Sequence, residues 1–283
     1  MHFPKYWALG SSGDFSAWHW SDTSPEDARA KANASAERLK QRLLSSNVRN
    51  NRYGYADRML REPVIEEVSA QHPEENGRAI ITRNSYGALV LNTDKICFVD
   101  IDLPKQRAPQ RLKALVASFF GKSAANPPAT PAEDPLARVQ HWFKCNGAWS
   151  GRLYETGGGF RILITSHFLD PVSSETEQLF GQLGADPLYC RLCKNQASFR
   201  ARLTPKPWRC RLRNPPAKWP FLSSKAEERF AAWQSRYEST QREFVTCKYL
   251  QTLGSEQVLA GIETVVSRHD DATGALTTGK PLA

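Results

Sequence analysis

Apolar residues gather in three short runs between residues 78 and 103, at 79–82, 88–91 and 96–101. Runs of this length, bounded by turn-forming residues, are typical of buried strands. Only a few residues separate the runs, and short connections favour antiparallel pairing. The pattern therefore predicts an antiparallel sheet region here.

The N-terminal residues predict a small unit of two strands and one helix. Short strands are expected at 6–9 and 17–20. Ser24 is then a suitable N-cap, and Pro25 suits the first position of a helix that should extend to about Leu44. Spacing at three to four residues predicts one apolar helix face formed by Ala28, Ala32, Ala36, Leu39 and Leu43.

Helices and strands alternate beyond residue 103. Residues 122–134 are rich in Ala, Pro, Asn and Thr and predict a mobile loop. Strands are expected near 152–154, 160–164 and 198–203. The predicted helices cover 136–145, 173–182, 225–240 and 255–268. The last dozen residues lack apolar periodicity, so we expect a loose tail.

Composition adds an argument about partners and location. The 283-residue chain carries 38 Lys and Arg against 29 Asp and Glu, and the formal charge of +9 favours phosphate-rich partners. No apolar run approaches the roughly 18 residues of a membrane span, so no membrane partner is expected. Residues 1–10 lack the pattern of a signal peptide, and six scattered Cys then favour a cytoplasmic protein with reduced thiols.

The basic residues are concentrated between residues 187 and 226, a stretch without Asp or Glu. Basic side chains neutralise phosphates, and interleaved aromatic rings stack on bases or sugars. The alternative is a solvated basic surface whose Trp residues belong to the core. The candidate nucleic-acid-binding residues are Arg191, Lys194, Phe199, Trp208, Arg209, Arg211 and Arg213, and the candidate phosphate-binding residues are Arg200, Arg202 and Lys206.

Two carboxylates end the last run of the sheet region. Asp100 and Asp102 are two residues apart, and such residues point to the same face of a strand. Their repulsion is relieved well by Mg²⁺ or Mn²⁺, which prefer oxygen ligands, and polymerases and nucleases use such pairs in phosphoryl transfer. The alternative is that the chain leaves the sheet here and Asp102 caps the turn at Pro104.

Three glycines, Gly157, Gly158 and Gly159, lie between two predicted strands, and Arg161 follows them. Their N–H groups can form an anion nest, and Arg161 can clamp a phosphate. A plain glycine turn in a hairpin explains the same residues. Asp186 is a third carboxylate candidate, although its place before Pro187 equally suits a helix N-cap.

Cys190 and Cys193 form a CxxC pair, with Cys210 and His167 as further potential zinc ligands. No second CxxC is present, and the pair is predicted to lie on a helix. Free thiols that bind no zinc are therefore the simpler interpretation. The sequence contains no Walker motif and no GxGxxG motif.

In this order, these motifs resemble the archaeo-eukaryotic primase superfamily in its primase-polymerase form. That family has a strand ending in Asp-x-Asp, a Gly-rich hairpin carrying a basic residue, and a further Asp followed by a basic strand. The matching segments here are Asp100–Asp102, residues 157–161, Asp186 and residues 199–206. The run 199–209 also resembles one shared by a group of uncharacterised bacterial proteins.

One departure from the family pattern concerns the middle motif. The family usually places a His there, where it meets the incoming triphosphate, whereas this chain has Arg161, and His167 comes too late in the sequence. Arginine still binds phosphate, so nucleotide binding is compatible with the change, while the missing His favours a relative without catalysis.

The resemblance implies an α+β fold, with an RRM-like antiparallel sheet, flanking helices and a small N-terminal αβ unit. The implied divisions are 1–77, a core at 78–215 interrupted near 122–134, and a C-terminal helical region with its tail at 216–283. Asp100, Asp102 and Asp186 would hold Mg²⁺ or Mn²⁺, and Arg161, Arg200 and Arg202 would neutralise a triphosphate or template.

Three functional hypotheses remain open at this point. The first is a metal-dependent nucleotidyltransferase that acts on a nucleoside triphosphate and nucleic acid. The second is a nucleic-acid-binding protein of the same fold without catalysis. The third is a metal-dependent nuclease that uses the same carboxylates.

Overall fold

A computed structural model of the chain describes residues 1–45, 59–68, 76–103 and 134–283. The N-terminal unit consists of the antiparallel hairpin of β1 (Tyr6–Ser12) and β2 (Phe15–Ser21), packed against helix α1 (Pro25–Ser45). The predicted loop at 122–134 lies outside the described residues except for Asp134, which caps the next helix by accepting a hydrogen bond from the Leu136 amide.

Helix α1 begins where the sequence predicts. The Ser24 hydroxyl accepts a hydrogen bond from the Asp27 amide at 3.1 Å, which is the capping contact expected of serine at this position. Ala28, Ala32 and Ala36 are fully buried. Leu39 and Leu43, however, are exposed, so the predicted apolar face is correct only for its three alanines.

Two four-stranded antiparallel sheets form the body of the protein. The first has the strand order β3 (Val64–Val68), β4 (Ala79–Arg83), β5 (Leu89–Thr93) and β9 (Phe199–Arg202). The second has the order β10 (Cys247–Gly254), β7 (Ser150–Thr156), β8 (Gly159–Phe168) and β6 (Ile96–Asp102).

Five further helices flank the sheets: α2 (Pro135–Cys145), α3 (Ser174–Leu183), α4 (Pro187–Gln196), α5 (Ser224–Gln241) and α6 (Ile262–Thr273). The predicted α+β class with antiparallel sheets and flanking helices is confirmed, and the finer likeness to an RRM stays a prediction. Within the described ranges, no helix combines the length and apolarity needed to cross a membrane.

The boundaries inferred from sequence need three corrections. Strand β3, inside the predicted N-terminal division, pairs with β4 of the core. Strand β10 lies in the division predicted to be helical, because its residues are mostly half-buried and show weak apolar alternation. The tail predicted to be loose is bonded to Val245, whose amide donates to the Pro281 carbonyl and whose carbonyl accepts from the Ala283 amide.

The edge strands β6 and β9 bring the two sheets into contact. Arg161 of β8 crosses this junction and donates a hydrogen bond to the Arg202 carbonyl at 2.9 Å. Tyr189 of α4 donates from its hydroxyl to the Phe98 carbonyl at 2.8 Å. The ends of β6 and β9 that carry Asp102 and Arg202 therefore lie beside one another.

Candidate active site

Three carboxylates gather at the end of β6. The Asp186 amide donates a hydrogen bond to the Asp100 carbonyl at 2.9 Å, which fixes the start of α4 against this strand. The pKa of Asp102 is raised above its usual value by partial desolvation and by repulsion from Asp186 and Asp100. Asp102 and Asp186, far apart in sequence, are thus close enough in space to interact electrostatically.

Asp100 is already neutralised by Arg161. These residues face each other in the antiparallel register of β6 and β8, and the Nε and Nη2 atoms of Arg161 lie 2.8 and 3.3 Å from the Asp100 oxygens. Arg161 is only 1% exposed, and desolvation of its guanidinium is outweighed by Asp100, which raises the pKa of Arg161. The prediction that Arg161 clamps a phosphate is therefore wrong in this arrangement, because the guanidinium is buried and paired.

Asp186 serves as the N-cap of α4. One of its carboxylate oxygens accepts a hydrogen bond from the Tyr189 amide at 2.8 Å. The capping alternative raised from the sequence is correct for this oxygen. A cap engages only one oxygen, so the half-buried Asp186 carboxylate keeps acceptor capacity on its other oxygen.

The carboxylates fit a divalent ion only in part. Across residues 1–45, 59–68, 76–103 and 134–283, no three His, Cys, Asp or Glu side chains are grouped as ligands of one metal ion. Asp100 is paired with the buried guanidinium of Arg161. The carboxylate oxygens that can still bind a metal ion are those of Asp102 and the second oxygen of Asp186. Mg²⁺ is commonly held by one or two carboxylates together with substrate phosphates, and these two suit that mode.

The glycine turn does not form the predicted anion nest. The amides of Gly158 and Gly159 both lie within hydrogen-bonding distance of the Thr156 hydroxyl oxygen, at 3.4 and 3.1 Å. The glycines instead allow neighbouring backbone and side-chain groups to pack closely against the turn. A Cβ atom on Gly159 would lie 2.0 Å from the Ile101 carbonyl oxygen, and one on Gly157 would lie 2.4 Å from the Arg209 guanidinium.

Arg200 and Phe199 are also placed differently from the prediction. The Arg200 guanidinium is buried and donates to both oxygens of Glu62 at 2.9 Å and to the Asn92 side chain at 2.6 Å. The Phe199 ring is fully buried in the main core, where it packs edge-on against Phe180. A buried ring cannot stack on a base, and Arg200 already has a buried carboxylate as its counter-charge.

Three other cations lie beside the carboxylates, and we call Arg202, Lys206 and Arg209 the rim cations. Their side chains form no hydrogen bond or ion pair with any described residue, although each is half-buried. Desolvation and the charge of Arg161 lower the pKa of Arg202 to about 10. Desolvation, Arg202 and Arg209 lower the pKa of Lys206. The mutual repulsion of the rim cations creates a site that favours an anion.

The remaining predicted residues lie on the surface around this site or on α4. Trp208 is 48% exposed and contacts Tyr86 edge-on. Arg211 and Arg213 are exposed after the short 3₁₀ turn Pro207–Cys210. Arg191 and Lys194 are exposed on α4, and Lys194 pairs with Glu177 at 3.1 Å.

A buried polar chain behind the site was missed from the sequence. The Nη1 atom of Arg161 lies 3.4 Å from Nε2 of His269, whose Nδ1 is 2.9 Å from Asp270, and Asp270 pairs with Arg152 at 2.6 Å. Burial lowers the pKa of His269, so the ring is neutral, with Nε2 as acceptor and Nδ1–H as donor. No local motif marks these residues, because the two arginines are more than 100 positions away from His269 and Asp270 in sequence.

The cysteines show no sign of the zinc site considered above. Cys193 is buried in the core and Cys190 is half-buried, and desolvation raises the pKa of their thiols to about 12 and about 11. A thiol must lose its proton to bind zinc, and burial opposes that loss. All six cysteines are free thiols.

Comparisons with protein-family models, with curated proteins and with solved structures find no match to this chain.

Proposed function

We propose that this protein binds the triphosphate of a nucleotide at the rim cations and transfers the nucleotide in a divalent-metal-dependent reaction of primase-polymerase type. The supporting observation is that Asp102 and Asp186 lie among these cations. Carboxylates repel phosphates, so a surface that only binds nucleic acid has no use for them there. A Mg²⁺ or Mn²⁺ ion would bind carboxylate and phosphate oxygens together, which explains why carboxylates and cations occur at one site.

The chain's own residues divide the work in this proposal. Arg202, Lys206 and Arg209 bind the phosphate oxygens and offset their charge through charge-assisted hydrogen bonds. Asp102 and the second oxygen of Asp186 would hold a divalent ion, which would supply stabilisation of the charge that develops on the transferred phosphoryl group. Arg161 acts as a positioning residue, because it holds Asp100 and joins β8 to β9 through the Arg202 carbonyl.

A second function is favoured by one specific observation. The pairing of Asp100 with the buried Arg161 removes a carboxylate that a two-metal site would use. A protein that binds nucleotide or nucleic acid without catalysis is therefore the alternative, and the presence or absence of product separates the two.

The test incubates the protein with Mn²⁺, a labelled nucleoside triphosphate and single-stranded DNA, and resolves the products on a gel. Wild type and Asp14→Asn, a change at an exposed turn, should both extend the strand or form a dinucleotide. Asp102→Asn should abolish product. Triphosphate binding without any product favours the non-catalytic alternative, and shortened DNA favours a nuclease. Absence of binding to metal, nucleotide and DNA would refute the proposal.

A further inference from the structure

Two exposed aromatic side chains contact each other beside the rim cations. Among the described residues, Tyr86 and Trp208 are the only aromatic side chains in the exposed class, at 37% and 48%. Their ring centroids are 5.2 Å apart and their planes are nearly perpendicular, at 86°. We call these two residues the aromatic pair. Large apolar rings left in water contribute little to folding, so their exposure needs another explanation.

Trp208 is held in place by a rigid segment. It lies in the 3₁₀ turn Pro207–Cys210, and the Leu212 amide donates to the Pro207 carbonyl at 2.9 Å. The buried Tyr237 hydroxyl donates to the Pro205 carbonyl at 2.5 Å, just before the turn. Two prolines and these hydrogen bonds fix the backbone of the segment that carries the Trp208 ring.

Tyr86 is held by the turn between β4 and β5. Its amide donates to the Asn84 side chain at 3.0 Å, and the Arg83 guanidinium donates to the Gly87 carbonyl at 2.9 Å. Gly87 has a φ of +82°, and a Cβ atom there would lie 2.4 Å from the Trp233 ring. The tip of this hairpin therefore has little freedom, and the aromatic pair is preorganised.

The charges around the pair match a phosphate-linked ligand. The Lys206 Nζ atom lies 5.5 Å from the centroid of the Trp208 ring. Arg209 is the next residue after Trp208, and its guanidinium lies against the turn at Gly157. An exposed aromatic surface with adjoining cations is the combination that binds single-stranded nucleic acid, since rings stack on bases and cations neutralise phosphates.

We propose that the aromatic pair is a stacking site for an unpaired base of a single-stranded nucleic acid, whose neighbouring phosphate binds Lys206 and Arg209. The inference rests on the proposed function, because it supplies the place where a template or primer strand would lie next to the nucleotide. Tyr86 thereby becomes a binding residue contributed by the hairpin between β4 and β5.

The test measures binding of a labelled single-stranded oligothymidylate of about 20 nucleotides by fluorescence anisotropy. EDTA is present, so that no transfer reaction contributes. Trp208→Leu and Tyr86→Leu should each weaken binding by about tenfold, because one stacked base is lost, and Trp208→Phe should keep most of the affinity. Trp142→Leu, at a half-buried ring on α2 that packs against Trp149, is the matched control and should bind as wild type does.

An abasic strand of equal length isolates the role of the bases. It carries the same phosphates, so wild type and Trp208→Leu should bind it equally. Equal affinity of wild type and both Leu variants for oligothymidylate would overturn the inference. A loss confined to free thymidine triphosphate would also overturn it, because the stacked base would then belong to the incoming nucleotide.

The binding test and the transfer test distinguish a failure of the stacking inference from a failure of the proposed transfer reaction. Strand binding that depends on Trp208 without any product keeps this inference and removes the proposed transfer reaction. Product formation with unchanged strand affinity in the Leu variants keeps the transfer reaction and removes the aromatic stacking site.

Discussion

Arg200 and Arg202 are two residues apart on one strand, yet they occupy opposite electrostatic situations. Arg200 is buried against Glu62 and Asn92, whereas Arg202 has no ionic partner among the described residues and lies near Arg161. Arg161 resembles Arg200, since Asp100 neutralises it. We call Arg161 and Arg200 the paired arginines. The difference separates cations that are neutralised by a carboxylate within the fold from the rim cations, which are left for a ligand.

The largest expected effect is the loss of stability when a paired arginine is removed. Arg200→Met leaves the Glu62 carboxylate, itself 1% exposed, buried without a counter-charge. Breaking a buried pair from one side costs about 3–5 kcal/mol of unfolding free energy. Chemical denaturation should show this loss. Arg202→Met is the matched control on the same strand, and a similar loss there would erase the distinction between the two classes of arginine.

Replacing both partners sharpens the same point. The double variant Arg200→Met/Glu62→Leu should recover much of the lost stability, because two apolar side chains avoid the cost of an isolated buried charge. A double variant as unstable as Arg200→Met alone would mean that side-chain packing, and not the charge, is what Arg200 contributes.

Arg161→Met should destabilise the protein less, by about 2–3 kcal/mol, because Asp100 retains partial access to water. The Asp100 side chain is 28% exposed, so solvent screens its charge after the guanidinium is removed. The same variant loses the hydrogen bond to the Arg202 carbonyl. Denaturation should therefore rank Arg200→Met above Arg161→Met, and the reverse order would contradict the dependence on burial.

Removal of a rim cation should not lower stability, because it removes repulsion between like charges, and it should weaken ligand binding. Each charge-assisted hydrogen bond to phosphate contributes about 1.5–3 kcal/mol, so Lys206→Met and Arg209→Met should each weaken triphosphate binding by about tenfold or more. Isothermal titration with a nucleoside triphosphate measures this. Arg211→Met, an exposed cation shortly beyond the 3₁₀ turn, is the control.

Salt dependence separates phosphate contacts from indirect effects. For a single-stranded ligand, the slope of log affinity against log salt should fall by about 0.7 for each rim cation removed. A variant that loses affinity with an unchanged slope has changed shape and has not lost a phosphate contact. That result for both Lys206→Met and Arg209→Met would contradict the assignment of the rim cations.

Much of this fold could be predicted from the sequence, because many of its elements carry a clear apolar pattern within their own residues. The strands at 79–82, 88–91 and 96–101 and the helix at 136–145 carry their own apolar pattern, and the structure confirms them. Strand β10 could not be predicted, because its residues are mostly half-buried and its partner β7 is about 90 residues away. Elements stabilised by a distant partner leave a weak local pattern.

The candidate site also has a part that the sequence predicts and a part that it does not. The gathering of Asp100, Asp102 and Asp186 was expected from the order of motifs in the family that the sequence resembles. The roles of the arginines were not predictable, because Arg161, Arg200 and Arg202 all occur in similar apolar and basic surroundings. Only the structure shows which of them meets a carboxylate, and Glu62 is 138 residues away from its arginine.

Asp102 provides the smallest and most discriminating prediction. Its folded-state pKa is raised, so this carboxyl contributes stability that is fully present below the unfolded pKa near 3.8 and is lost as the pH rises through the folded pKa. At neutral pH the ionised group therefore destabilises the fold. Asp102→Asn should stabilise the protein by a few tenths of a kcal/mol at pH 7, since solvent screens much of the repulsion at this exposed side chain.

The gain from Asp102→Asn should disappear below the unfolded pKa, where the wild-type carboxyl is also neutral. Denaturation of both proteins at pH 7 and in acid measures the difference. A variant that is more stable at neutral pH and yet inactive in the transfer assay indicates that the Asp102 carboxylate destabilises the fold but is needed to bind an ion and its phosphates. If Asp102→Asn is less stable than wild type at pH 7, the carboxylate stabilises the fold, and the contrast between the paired arginines and the site beside the rim cations no longer explains its position.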